Sequence, residues 1–228
     1  MIVRLHRLRL VEHWVFAAVF TMLVVTGLAQ RFHTQAWAQW TVNALGGIDT
    51  MRAVHRSGGI VCTLLLAQHL LVGICGILFL HWRPSMMINK KDFTDAIHNL
   101  RYYFGKTPTP ARCDRYDYKQ KFEYWGVVFG GLLMAATGLI LWFPTLVFKL
   151  APFLPGQVIA AARVAHSNES MLALLVIVTW HIYNAVFSPE VFPLDTTIFT
   201  GKISRERMLH EHPLELERLE QPSSDELR

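Results

Sequence analysis

Four apolar stretches, each close to the length that crosses a lipid bilayer, alternate with short clusters of charge, and this alternation restricts the chain to a membrane-embedded helical architecture. The stretches lie at about 11–29, 55–80, 122–143 and 166–187, against the ~20 residues a helix needs to cross a hydrocarbon core. Backbone polar groups find no water in lipid, so runs of this length must satisfy their own hydrogen bonds as helices. The 228 residues therefore read as one membrane-integral domain, 1–228: an all-α, four-helix up-and-down bundle with a tail over 188–228. Lysine and arginine collect on the cytoplasmic side. Arg4, Arg7 and Arg9 precede the first stretch, and nine basic residues lie between Arg83 and Lys121, whereas 30–54 holds only Arg31 and Arg52. Both termini and the loop 81–121 are thus expected in the cytoplasm, with 30–54 and 144–165 outside.

The net charge of +5 is accounted for by these flanks. No basic helix or interleaved aromatic patch stands apart from a membrane flank, so the expected partner is membrane lipid and nucleic acid is excluded. Cys62 and Cys75 fall in the second stretch and Cys113 in a loop, which implies no disulfide framework. Residues 144–165, broken by Pro144, Pro152, Pro155 and Gly156, read as an outer re-entrant or interfacial segment. Residues 90–104 read as a short amphipathic surface helix stopped at Gly105. His210 and His212, in the charged tail, read as surface residues.

Histidine carries the chemical signal, because an imidazole taken out of water needs a partner. His13 opens the first stretch in Glu12-His13-Trp14, His55 and His69 lie in the second, and His166 and His181 in the fourth. His166 and His181 are fifteen apart, a helical rise of about 22 Å with the second ring roughly 60° round from the first. His55 and His69 are fourteen apart, about 21 Å and roughly 40° the other way. Matched rungs on two helices point to a ladder for two b-type haems, each taking two axial imidazoles. Spans two and four run the same way in an up-and-down bundle, so His55 and His166 are level near the outer face and form one pair. His181, near the cytoplasmic face, has two possible partners, His13 and His69. An ion path would need carboxylates converging at one depth, but Glu12, Glu123 and Glu169 lie near span ends, which favours electron passage. The absence of a Cys-x-x-Cys-His motif excludes covalent c-type attachment.

An internal repeat bears on that choice. Glu12-His13-Trp14 matches Glu123-Tyr124-Trp125, Thr26-Gly27-Leu28 matches Thr137-Gly138-Leu139, and His55 matches His166, all at an offset of 111. The repeat makes His69 the counterpart of His181, one residue out of phase, and puts Tyr124 at the position matching His13. It thereby favours His69 over His13.

Several motifs also resemble a known family. They are His13-Trp14, His55, Arg115-Tyr116-Asp117-Tyr118-Lys119-Gln120-Lys121, His166, His181-Ile182-Tyr183, and Gly201-Lys202-Ile203-Ser204-Arg205 leading to His212-Pro213. Together they resemble the γ subunit (cytochrome b556) of membrane-bound formate dehydrogenases, within the wider group of four-helix di-haem cytochromes b. The resemblance implies an outer haem on His55 and His166, supplied by iron–sulfur and catalytic oxidoreductase subunits on the non-cytoplasmic side. It implies an inner haem on His13 and His181 beside a quinone site drawn from Tyr116, Asp117, Lys119 and Gln120, in a multi-pass protein of the bacterial cytoplasmic (inner) membrane. Because it spans the chain, it favours His13, leaving His69 behind the ligands or in the quinone pocket. This sequence departs from the family pattern in three ways. Asp117 and Lys119 stand where the family has asparagine and glycine. The fourth-span histidines are fifteen rather than fourteen apart, an excess that a π-bulge would absorb. His69 has no family counterpart, and paired histidines on both ligand helices resemble the cytochrome b of quinol:cytochrome c oxidoreductases. Two other readings remain: a stand-alone cytochrome b561-like transmembrane carrier, and a haem-free anchor or transport bundle.

Overall fold

Each apolar stretch forms a helix in the computed structural model, which describes residues 1–189 and 191–221. Residues 222–228 of the expected tail lie outside the described residues. The spans are α1 (Arg7–Arg31), α3 (Ile48–Phe79), α5 (Tyr118–Trp142) and a fourth helix over Gln157–Phe187. The fourth begins as α7 (Gln157–Val176) and continues in π-helical turns at Ile177–His181 and Tyr183–Phe187. All four are long and apolar enough to cross a membrane.

The helices extend beyond the apolar stretches, most clearly for α3 and for the fourth span. Apolarity marks where lipid begins, but a helix runs on until its backbone is broken. The breaks before α3 are Gly46 and Gly47, both with left-handed backbone at φ +85° and +99°, a conformation glycine adopts without steric cost. Before the fourth span the break is Pro155-Gly156. The segment 144–165 is accordingly a short helix, α6 (Pro144–Leu150), a turn, and the first residues of α7.

The chain divides into two compact units. One comprises Leu8–Cys75 and Val127–Asp195 and holds most of the four spans. Large apolar side chains such as Leu64, Leu71 and Phe129 point outward from it, as a lipid-facing surface requires. Its fully buried cluster is Ala29, Ala38 and Met51, packed by Val42 and Leu45, where α2 (Ala36–Ala44) meets the end of α1 and the start of α3. Gly58 lets α1 and α3 approach: a Cβ there would lie 2.2 Å from Met22 Cε.

The other unit comprises Met1–Arg7, Gly76–Gly126 and the described part of Thr196–Arg228. Strand β1 (Ile2–Val3) pairs antiparallel with β2 (Lys202–Ile203), which follows α8 (Thr197–Thr200) and the left-handed Gly201. The tail continues as α9 (Arg205–Glu211) and α10 (Pro213–Glu220), and Ile203, Met208 and Leu216 close over Ile2 as a small core. The expected surface helix is α4 (Lys90–Tyr103), opened by a capping box between Asn89 and Asp92. The buried Asp92 also accepts from Lys121 Nζ at 2.8 and 2.9 Å.

At the centre of this unit Glu215 takes a guanidinium on each carboxylate oxygen, Arg4 at 2.6 Å and Arg115 at 2.5 Å. Each arginine also donates to the other's backbone carbonyl, and both guanidinium groups lie over the Tyr116 ring. Arg4 and Arg115 are themselves 111 residues apart, so the repeat extends to this joint. The reading of His212 as a surface residue is corrected here. The residue is 4% exposed, and its Nδ1 donates to the Asp114 carbonyl at 2.8 Å, because the tail folds back across the approach to α5. Burial, then the nearby Arg4 charge, pushes its pKa down to about 4.

Candidate functional site

The repeat at 111 residues is expressed in side-chain geometry. Thr26 on α1 and His55 on α3 meet with Oγ and Nδ1 2.8 Å apart; Thr137 on α5 and His166 on α7 meet at 2.9 Å. Each threonine also hydrogen-bonds the carbonyl four residues back, Met22 or Leu133. The glycine after each threonine holds its backbone against the ring: a Cβ on Gly27 would sit 3.3 Å from His55 Cε1, and one on Gly138 3.4 Å from His166 Cε1. The two imidazoles so held are brought together with ring centroids 6.4 Å apart and planes at 74°.

A second ring pair lies toward the other end of the same unit. His13 is thirteen residues before Thr26 on α1, about 20 Å along the helix, and its ring centroid is 6.1 Å from that of His181. Trp14 packs edge-on against His13 at 5.3 Å. His69 is engaged otherwise: its Nδ1 lies 2.7 Å from Glu12 Oε1, with Arg9 3.2 Å away and also bound to Glu12. The π turn at Ile177–His181 falls where the extra residue between His166 and His181 has to be absorbed.

The ring spacing of both pairs suits one metal atom held between two imidazoles. Metal–imidazole bonds of about 2 Å, with about 1 Å more from nitrogen to ring centre on each side, put the centroids roughly 6 Å apart. No group of three or more His, Cys, Asp or Glu able to hold a metal ion occurs among the described residues. Each pair therefore offers two ligands, and the remaining coordination has to arrive with the metal, as it does in a porphyrin.

The segment before α5 is differently arranged. The Asp117 amide donates to Gln120 Oε1 at 3.1 Å and the Gln120 amide to Asp117 Oδ1 at 2.7 Å, a reciprocal cap on α5. Burial raises the Asp117 pKa, against the lowering effect of the Gln120 backbone bond and Lys119. Tyr116 is held under Arg4 and Arg115. Of the side chains now seen at the site, Thr26 and Thr137 were visible in the sequence only as a repeat match. Their signal was a Thr-Gly pair recurring at the same offset as a histidine.

A bundle of apolar helices that sets imidazoles in facing pairs has the architecture of a membrane cytochrome b. Residues 4–196 match the family model of prokaryotic cytochrome b561, and the chain belongs to that family. It is similar to the formate dehydrogenase cytochrome b556(fdo) subunit of Escherichia coli strain K12, 27% identical over 177 residues, which covers 78% of this chain and 75% of the relative. It is also similar to the nitrate-inducible formate dehydrogenase cytochrome b556(Fdn) subunit of the same strain, 23% identical over 213 residues, or 93% and 89% of the two chains. The protein is a multi-pass bacterial membrane cytochrome b, an electron carrier of the b-type haem class.

Proposed function

We propose that this cytochrome b is the membrane subunit of a formate dehydrogenase-like respiratory oxidoreductase. It passes electrons between an iron–sulfur partner, attached with a catalytic subunit on the non-cytoplasmic side, and the quinone pool of the cytoplasmic membrane. The observation that carries the reading is the presence of two facing imidazole pairs, 6.4 and 6.1 Å between centroids. The two lie about 20 Å apart along α1 by helical rise. His55 and His166 would hold one b haem, and His13 and His181 a second. Bound there, haem supplies one-electron transfer. The chain's own part is to aim the ligand nitrogens, keep both sites in an apolar bundle, and limit water around them.

The His13–His181 facing and the engagement of His69 with Glu12 support His13 as the inner ligand. His69 and Arg9 then fix the Glu12 carboxylate one residue from that ligand. Quinone contact is proposed at Tyr116, Asp117, Lys119 and Gln120 on the strength of the family resemblance. The Asp117–Gln120 cap implies that such contact uses whatever hydrogen-bonding capacity these side chains retain. The family's description as cytochrome b561 keeps one other reading in play, a carrier that works without attached subunits.

Two measurements on protein purified from its own membrane test the proposal. A pyridine haemochrome assay is expected to give two b haems per chain, and identification of co-purified chains is expected to find an iron–sulfur subunit. One haem per chain would remove the two-site assignment, none would leave an anchor or transport bundle, and two haems without a partner would favour the stand-alone carrier.

A further inference from the structure

We propose that Thr26 and Thr137 set the redox potential of the haem on His55 and His166, keeping it below that of the haem on His13 and His181. The proposal rests on the ligand assignment above and adds two positioning residues to it. A threonine hydroxyl has one proton and two lone pairs. Thr26 Oγ is 2.8 Å from the Met22 carbonyl, and Thr137 Oγ is 2.7 Å from the Leu133 carbonyl. A carbonyl can only accept, so each hydroxyl proton is committed to the backbone. The same oxygen, 2.8 or 2.9 Å from a histidine Nδ1, is left as an acceptor, and Nδ1 must carry the hydrogen. Both imidazoles are thereby fixed as the tautomer whose Nε2 is bare, the form a metal requires.

Back-bonding alone is ordinary for threonine in a helix. Thr21, Thr63 and Thr179 of this chain bond the carbonyl four residues back in the same way. What distinguishes Thr26 and Thr137 is that each is buried, each meets a histidine of the same facing pair, and each is followed by the glycine that brings its helix against the ring. The arrangement occurs twice, in the two halves of the repeat.

Donation from Nδ1–H to oxygen shifts electron density toward Nε2 and makes the ring a more basic ligand. A more basic axial ligand favours Fe(III) over Fe(II) and lowers the midpoint potential. The other pair lacks this at one ligand at least: His13 Nδ1 is buried with no hydrogen-bond partner among the described residues. The difference runs in the direction that makes transfer from the His55–His166 site to the His13–His181 site downhill, which fits a protein that delivers electrons to quinone.

The test is a potentiometric titration of the purified full-length protein, followed in its reduced-minus-oxidised visible spectrum, for wild type and for Thr26→Val, Thr137→Val, the double variant and Thr26→Ser. In wild type the lower-potential of two one-electron components should be the one that disappears in His55→Ala. Each valine substitution is expected to raise that component, by about 59 mV if it removes a tenfold preference for Fe(III). The double variant should shift it further, the other component should hold still, and serine should restore the wild-type value. Valine variants that lose the haem while Thr26→Ser keeps it at the wild-type potential also support the role. Loss in both variants would show that side-chain shape rather than the accepting oxygen matters, and would overturn the proposal. It also falls if the valine variants keep the haem at an unchanged potential, or if the component lost in His55→Ala is the higher one. A wild type lacking two b haems, or a His55→Ala variant keeping both components, would instead refute the ligand assignment beneath it.

Discussion

Replacing Glu215 by glutamine is expected to open the joint between the N-terminal strand, the approach to α5 and the tail. The Glu215 side chain is 7% exposed and the Arg4 side chain 8%, with 2.6 Å between them. Removing the carboxylate charge strands a buried guanidinium, a loss of about 3–5 kcal/mol when one partner of a buried pair is deleted. The Arg115 half is 36% exposed, so solvent screening holds its share below about 1 kcal/mol. The reciprocal bonds of the two arginines to each other's carbonyls survive the substitution, which places the expected loss near the lower end, about 3 kcal/mol. That corresponds to local opening more frequent by about a hundredfold. Hydrogen exchange on the intact protein in lipid nanodiscs reads this directly. Peptides covering Ile2–Arg4 and Lys202–Leu216 should lose protection, while peptides from the middle of α3 should keep theirs. The double variant Arg4→Met/Glu215→Leu should recover much of the protection, because an apolar pair of similar size can replace a buried ion pair at little cost. A change of less than tenfold in those peptides, or an equal loss in α3, would refute the energetic role given to the carboxylate.

Three further outcomes are expected. Because burial and Arg4 hold His212 near pKa 4, against an ordinary value of 6.5, the unfolded tail binds the proton that the folded tail refuses. Stability of the tail is therefore full above pH 6.5 and falls by about 1.4 kcal/mol per pH unit down to about pH 4. Arg207 also opposes protonation, while Glu215 and the Asp114 carbonyl favour it. Limited proteolysis from pH 7 to 4.5 should show the release, and a His212→Asn variant with an unchanged acid profile would count against it. Gly27→Ala and Gly138→Ala should each displace a ring by a few tenths of an ångström, altering the haem spectrum while shifting the thermal midpoint little; unaltered spectra in both would show that the rings have room to move. Finally, His13→Ala should abolish the absorption of one haem and His69→Ala should preserve both, and the opposite pattern would return the ligand role to His69.

The spans were legible because apolar length alone decides them, and the pairing of His55 with His166 because two helices running the same way bring equal depths together. Helix ends were less legible, since apolarity says where lipid begins and not where the backbone breaks. The tail shows a stronger limit. His212 reads as solvated in a sequence of charged neighbours, yet Glu215 gathers Arg4 and Arg115 from 211 and 100 residues away. No local pattern encodes a joint of that separation. Asp117 and Gln120 illustrate a competing signal: Asp-x-x-Gln before an apolar run is the mark of a helix cap, and a polar pair at a helix start carries that meaning as readily as a ligand contact.

The two ring pairs differ in how they relate to the repeat, and this explains why one was easily assigned and the other was not. His55 and His166 occupy equivalent positions in the two halves, each with its own threonine and glycine, so the pair is symmetric in composition. His13 and His181 are not equivalent: the positions 111 residues away hold Tyr124 and Leu70. A strictly symmetric bundle would have paired His69 with position 180, where Trp180 stands. The turn at Ile177–His181 breaks that symmetry. It is π-helical, whereas the corresponding stretch of α3, 66–70, is α-helical. A π turn accommodates an additional residue and rotates the helix beyond it, so the extra residue falls in the half that carries His181, whose ring centroid lies 6.1 Å from that of His13. The His69 half, left α-helical, gives its imidazole to Glu12. Removing one residue from Ile177–His181 should therefore take His181 away from His13 while leaving His55 and His166 in place.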